Sequence, residues 1–162
     1  MTNSFYPLKI IEKTKKAEEC LNTNYYGVKR LTEALLPLLQ LSTLGARIVN
    51  VSSLRKEKVD AVLTRFLHDF KRNELEVNGW TMMLPAYSIS KATLNAYTRI
   101  LANKYPNMCI NCVHPGFVNT DLNWHTGTMT VEEGAAGLVK LALLPRGGPS
   151  GCYFDQTEVA DF

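Results

Sequence analysis

Apolar residues recur at three- and four-residue spacing from about Thr14 to Leu41, at Ala17, Cys20, Leu21, Val28, Leu31, Leu35, Leu38 and Leu39. This spacing predicts one long helix. Pro37 is expected to kink its last turns, and Gly45 ends the helical stretch. Ala46-Arg47-Ile48-Val49-Asn50-Val51-Ser52 follows as a short apolar run with β-branched residues, the pattern of a strand covered on both faces. Val59, Val62, Leu63, Phe66, Leu67 and Phe70 then share one side of a segment whose other side carries Lys58, Asp60, Arg65, Asp69 and Lys71. An amphipathic helix over 59–72 is expected, docked through Phe66 and Phe70.

Pro85 suits the start of a further helix, Ala86 to Tyr105, with Ile89, Leu94, Tyr97, Ile100 and Leu101 as its buried stripe and Pro106 as its stop. A strand is expected from Cys109 to Val113, and the Pro115-Gly116 pair marks His114 to Thr120 as a loop. Thr130-Val131-Glu132-Glu133 is a capping box opening a helix through Leu143 or Leu144, and Gly151 introduces a last strand, Cys152 to Asp155. Strands alternating with helices indicate an α/β fold with a parallel sheet built from right-handed crossovers.

A chain of 162 residues with 46% hydrophobic and 20% charged residues is long and apolar enough for a single domain over 1–162. No apolar run reaches the roughly 18 to 20 residues of a membrane span, and Met1 to Pro7 lacks the pattern of a secretory signal. A soluble, cytoplasmic protein is expected. The net charge of +3 is spread along the chain, so neither nucleic acid nor an anionic membrane is an expected partner. Cys109 and Cys112 form C-x-x-C, but residues three apart on a strand point to opposite faces, and no second C-x-x-C or spaced histidine pair accompanies them. No metal site is expected.

Tyr87-Ser88-Ile89-Ser90-Lys91 places a phenol and an ammonium four apart, on one face of a helix. A neighbouring ammonium favours phenolate, which suits proton exchange with a substrate. Tyr25 and Lys29 have the same spacing but open in mid-helix with no strand end nearby, so they are expected to be an ordinary helix pair. Ser52 and Ser53 end an apolar strand, and ligands of parallel sheets bind beyond the carboxyl ends of strands. Pro115 to Thr120 also follows a strand's carboxyl end, so a serine, a Tyr/Lys pair and a loop could converge on one rim. A serine hydrolase is disfavoured, because there is no Gly-x-Ser-x-Gly and His68, His114 and His125 have no spacing that implies a base for Ser53.

In order and context these motifs resemble the short-chain dehydrogenase/reductase family. Asn24-Tyr25-Tyr26-Gly27 resembles its Asn-x-x-Gly helix motif, Ile48 to Ser53 its strand ending in serine, Tyr87-x-x-x-Lys91 its catalytic pair, and Pro115-Gly116-x-Val118-x-Thr120 its nicotinamide loop. The segment from Phe66 through Trp80, inserted between serine and tyrosine, looks like the carbonyl reductase branch and its plant members. The resemblance implies a Rossmann-type fold and NADP-dependent oxidoreduction of a small carbonyl or alcohol substrate. It implies that Tyr87 transfers the proton, Lys91 assists it and holds the nicotinamide ribose, Ser53 orients the carbonyl and Asn24 anchors a relay water. Pro115, Gly116, Val118 and Thr120 would hold the nicotinamide. The inserted helix would cover the surface other members use to dimerise, which favours a monomer.

The family's glycine-rich pyrophosphate turn has no counterpart among the ten glycines, and its Asn-x-Ala-Gly strand end is also absent. The resemblance then implies only the C-terminal part of the fold: three strands flanked by helices, with one raw edge. NADPH is expected to bind weakly or not at all, and the join Ser53 to Lys58 is shorter than usual for the branch. The alternative to an active reductase is a truncated, inactive remnant that binds partners through the exposed edge or has no independent function. Trp80 to Leu84, Trp124 and His125 are expected to wall the substrate pocket.

Overall fold

The computed structural model describes residues 6–53, 60–80 and 84–161. Helix α1 (Tyr6–Leu21) runs through a π-helical turn, Asn22–Gly27, into α2 (Val28–Leu39). The helix starts well before Thr14, with Pro7 in the first turn, where a missing N–H leaves no bond unmade. Ala17, Leu21 and Tyr25 are buried in succession, but beyond the π turn the buried positions are Thr32 and Leu36. Leu31, Leu35 and Leu38, expected on the buried stripe, are 62%, 41% and 65% exposed. The reason is the wider turn, whose extra residue rotates α2 by about 100° relative to an uninterrupted α-helix.

Strand β1 (Arg47–Val51) pairs in parallel with β2 (Cys109–His114), in register from Arg47↔Cys109 to Val51↔Val113. Strand β3 (Tyr153–Asp155) adds in parallel on the other side of β2, and β4 (Glu158–Ala160) returns antiparallel to β3. The sheet order is β1-β2-β3-β4, so four strands replace the three expected from the sequence. The fourth follows a tight turn in which Gln156 takes a left-handed backbone (φ 55°), and its three residues are too few and too exposed to show an alternating pattern. β2 is buried from Cys109 to Val113, as an apolar strand between two layers should be. β1 is not covered as expected, because it lies at the sheet edge with Val51 41% exposed.

One face of the sheet holds α1 and α4 (Pro85–Lys104), where Ile110 packs with Leu21, Ile89, Leu94, Tyr97 and Leu101. The other face holds α5 (Val131–Ala142), where Val113, Leu141 and Phe154 form a second cluster. Glu133 and Thr130 close the expected capping box, with Thr130 N–H to Glu133 Oε2 at 2.8 Å and Glu133 N–H to Thr130 Oγ1 at 3.1 Å. Gly137 allows α5 close contact, since a Cβ there would stand 2.1 Å from the carbonyl oxygen of Gln156. On α4, Ile100 is half exposed, contrary to the predicted stripe. Ser90, Thr93, Asn95 and Thr98 are buried instead; Thr93 and Thr98 satisfy their hydroxyls on the carbonyls of Ile89 and Leu94, so their small side chains tolerate burial. Cys109 and Cys112 point to opposite faces, Cys109 Sγ towards the Pro145 and Gly148 carbonyls and Cys112 Sγ towards that of Cys152. No helix among the described residues is long and apolar enough to cross a membrane.

Helix α3 (Asp60–Lys71) is docked. Phe66 is fully buried and Phe70 packs beside it at 5.5 Å between ring centroids; Lys71 reaches Glu18 of α1 at 3.1 Å. Val59 and the 54–59 join lie outside the described residues. Asp69 was expected on the wet side, yet it is buried, because its Oδ2 accepts the indole N–H of Trp80 at 2.9 Å. The Trp80 ring meets Phe66 edge-on at 5.3 Å and lies 5.7 Å from the Arg65 guanidinium carbon. The indole hydrogen bond, more than the neighbouring His68, Asn78 and Arg65, holds the Asp69 carboxyl below its ordinary value against the opposing effect of burial.

Two outcomes follow for α3. Truncating Phe66 to Ala should destabilise the chain by about 3–5 kcal/mol in urea unfolding, the range for a fully buried phenylalanine. Because the folded pKa of Asp69 is depressed, its contribution is complete above the unfolded value and is lost as pH falls through the folded one. Acid titration followed by indole fluorescence should therefore show a transition on the acid side of the ordinary carboxylate range, and Asp69→Asn should remove it.

Candidate active site

The carboxyl end of β1 is fastened to α4 by three polar contacts. Asn50 Nδ2 donates to Thr98 Oγ1 at 2.9 Å, Ser52 Oγ donates to Asn95 Oδ1, and Lys91 Nζ donates to the carbonyl of Val51 at 2.9 Å. Asn50 and Ser52, two apart on the strand, meet Thr98 and Asn95, about a turn apart on the helix, while Lys91 reaches back to the carbonyl between them, and the register of strand and helix is fixed. Ser52 Oγ also lies 3.3 Å from the Lys91 carbonyl. Ser53, the next residue, is half-buried beyond the strand's end.

Helix α4 begins abruptly. Leu84 takes a left-handed backbone (φ 47°), Pro85 occupies the first turn, and Ser88 N–H returns to the Leu84 carbonyl at 2.9 Å. Tyr87 therefore sits in the opening turn, 39% exposed, with Lys91 Nζ 5.6 Å from its ring centroid. Burial pushes the Lys91 ammonium below its ordinary value, partly offset by Cys20. Such a lysine is a fixed donor at a rim rather than a freely solvated charge.

The π turn brings Asn24 to the same place. Asn24 Nδ2 donates to Ser90 Oγ at 3.1 Å, and Ser90 Oγ–H donates to the Tyr87 carbonyl at 2.7 Å, so α1 is tied to the turn that carries the phenol. Gly27 completes the π turn: a Cβ there would stand 3.0 Å from the Asn22 carbonyl oxygen, tight against the chain five residues earlier. Local departures of this kind are frequent at functional sites.

The loop after β2 supplies the last element. Gly116 adopts φ 87°, and any Cβ would strike Met129 Sδ at 2.2 Å. Val118 bridges to Met129, with Asn119 N–H to the Met129 carbonyl at 2.8 Å, and Thr120 caps the short turn Asp121–Asn123. Pro115, Gly116, Val118 and Thr120 are all half-buried.

The structure therefore brings Asn24, Tyr87 and Lys91 to the end of β1 that Ser53 extends, with the Pro115–Thr120 loop leaving the adjacent strand. Tyr25 and Lys29 do not form a second site: Tyr25 is buried edge-on to Tyr97 at 6.1 Å, and Lys29 approaches Glu33 at 4.0 Å. Of the expected pocket walls, Trp80 is turned into α3, and Trp124 is 86% exposed. His125 lies between Asp121 and Asn119, 2.9 Å from each, while 81–83 lie outside the described residues. Sequence reasoning placed Ser52 at the strand end without its partner, and missed Asn50, Asn95 and Thr98. Their one signal was polar side chains interrupting otherwise apolar faces.

No protein-family model matches the chain. A short-chain dehydrogenase/reductase of Saponaria officinalis is 52% identical to it over 90% of this chain and 55% of that protein. The (+)-neomenthol dehydrogenase of Capsicum annuum is 49% identical over 90% and 53%. The solved structure of salutaridine reductase from Papaver somniferum superposes with a TM-score of 0.79 at 48% identity, covering 88% of this chain and 55% of that one. The chain thus spans about half the length of the curated relatives it matches. Over that span sequence and backbone are alike, and the chain belongs to the short-chain dehydrogenase/reductase family, with plant members among its relatives.

Proposed function

We propose that this chain carries the proton-transfer machinery of an NADP-dependent reductase of ketones or aldehydes, working equally in the direction of alcohol oxidation. The observation that carries this reading is the fastening of Lys91 to the Val51 carbonyl beside the accessible Tyr87. In reduction the Tyr87 hydroxyl gives its proton to the carbonyl oxygen as that oxygen becomes alkoxide-like, and in oxidation the phenolate takes the alcohol proton back. Ser53 Oγ–H donates to the same oxygen and orients it. Lys91 uses one of its three donor positions on Val51 and keeps the others for Tyr87 and a cofactor hydroxyl.

The residues at the rim fit the nicotinamide end of NADPH: Lys91 has donors to spare, and the Gly116 loop comes off the strand next to β1. Lys91 with the loop residues Pro115, Gly116, Val118 and Thr120 would hold it. When bound, the nicotinamide supplies or accepts the hydride at the carbonyl carbon. The pyrophosphate end finds less. Among the described residues, α4 opens on Pro85, which has no N–H, and α5 opens beside Glu132 and Glu133, whose carboxylates repel phosphate. The plant reductases among the relatives favour this reading over a partner-binding remnant.

With a ketone substrate and NADPH, Tyr87→Phe should abolish turnover while Tyr25→Phe leaves most of it, because only Tyr87 stands beside Lys91. Equal losses would sink the assignment. Lys91→Ala should displace the pH profile of the proton-transfer step upward; an unmoved profile would make the pair structural. Calorimetric titration should show NADPH binding far weaker than to a relative that carries the glycine-rich pyrophosphate turn. At roughly 1.5–3 kcal/mol per charge-assisted hydrogen bond, two or three lost phosphate contacts amount to two to six orders of magnitude. Low-micromolar binding at one site per chain would overturn the weak-binding expectation.

A further inference from the structure

Among the described residues, the buried polar atoms without a hydrogen-bonding partner include Asn95 Nδ2 on α4 and His114 Nδ1 at the end of β2, on facing elements. Their placement is set by the sheet. Ser52 N–H donates to the Val113 carbonyl at 2.7 Å, which carries the parallel register one step past Val51↔Val113 and sets Ser52 beside His114. Alternation along β2 puts His114 on the same face as Ile110, the face covered by α4, and Ser52 reaches Asn95 from that face. Asn95 is 3% exposed, and its Oδ1 is taken by the Ser52 hydroxyl, so its amide N–H groups point away from Ser52 within the layer that also holds His114.

We propose that Asn95 and His114 hold one buried water between α4 and β2, Asn95 Nδ2 donating to the water and the water donating to His114 Nδ1. The polarity is consistent throughout: the amide nitrogen is only a donor, and an imidazole carrying its proton on Nε2 offers Nδ1 as an acceptor. Buried waters are found where otherwise unsatisfied polar groups face one another. The surrounding groups agree with a neutral ring. Burial pushes the His114 imidazole below its ordinary value, and the carboxylate of Asp155, its neighbour on β3, opposes this only in part. Cys112 shares its strand face, Ser52 faces it from β1, Tyr153 lies on the same face of β3 opposite Cys112, Lys91 lies one turn before Asn95 on α4, and Glu158 stands beyond Asp155 on β4.

In this arrangement Asn95 is a positioning residue for both strand ends at the rim. Through Oδ1 it holds the Ser52-Ser53 end of β1, and through the water it holds the point at which the Pro115 loop leaves β2. The site is defined by hydrogen bonding alone, so it stands or falls independently of any catalytic activity.

The test is nuclear magnetic resonance of the isotopically labelled full chain. The Asn95 side-chain amide protons should show cross-relaxation to a long-lived water, and long-range proton–nitrogen spectra should place the His114 proton on Nε2. Asn95→Asp, which keeps the shape but faces the ring with a carboxylate, should raise the His114 titration midpoint by about one pH unit or more. Asn95→Leu should remove the water contact at the imidazole; if that variant does not fold, the wild-type spectra and Asn95→Asp decide. A direct hydrogen-bond coupling between Asn95 Nδ2 and His114 Nδ1, a proton on Nδ1, or a titration unmoved by Asn95→Asp would overturn the proposal.

Discussion

Everything at the rim depends on how one strand is held against one helix. A strand advances about 3.3 Å per residue and a helix about 5.4 Å per turn, so packing by apolar contact alone leaves their relative height loosely determined. Asn50 on Thr98, Lys91 on Val51 and Ser52 on Asn95 remove that freedom, because a hydrogen bond misplaced by an ångström or two is lost. Buried polar pairs add little net stability but penalise the wrong register heavily, since a shifted arrangement strands donors in an apolar layer. Ser53 and Tyr87 inherit their relative height from this ladder.

The same economy of means appears on the other side of α4. A single asparagine on a widened helical turn, through Ser90, ties α1 to the backbone of Tyr87. The turn that carries the phenol is therefore braced from two directions, by Asn24 through Ser90 and by the contacts of α4 with β1. Helix α3 plays a separate part, burying Phe66 and gripping Trp80 through Asp69, and so fixes the chain shortly before it enters α4.

Much of this was legible in the sequence. The apolar runs at Ile48 and Ile110, the Pro85 start, the capping box at Thr130 and the Tyr87/Lys91 spacing each reflect a local rule acting on neighbouring residues, and each was found near its expected place. What escaped depends on partners distant in the chain. Asp69 looked solvated because helical periodicity cannot anticipate an indole eleven residues on. β4 is too short for alternation to register, and the burial of Thr93, Asn95 and Thr98 follows from close helix–sheet approach rather than from hydrophobicity.

The π turn between α1 and α2 has a bearing on which sequence changes the fold can absorb. Rewinding Asn22–Gly27 to regular α-helix with every residue kept would swing α2 by about 100°. Leu31, Leu35 and Leu38 would turn inward while Thr32 and Leu36 turned out to water, and Asn24 would leave Ser90. Substitutions at Asn22, Thr23 or Tyr26 leave that phase untouched. For this stretch a one-residue deletion is the change the fold can absorb: it closes the turn to α-helix and keeps Thr32 and Leu36 facing inward.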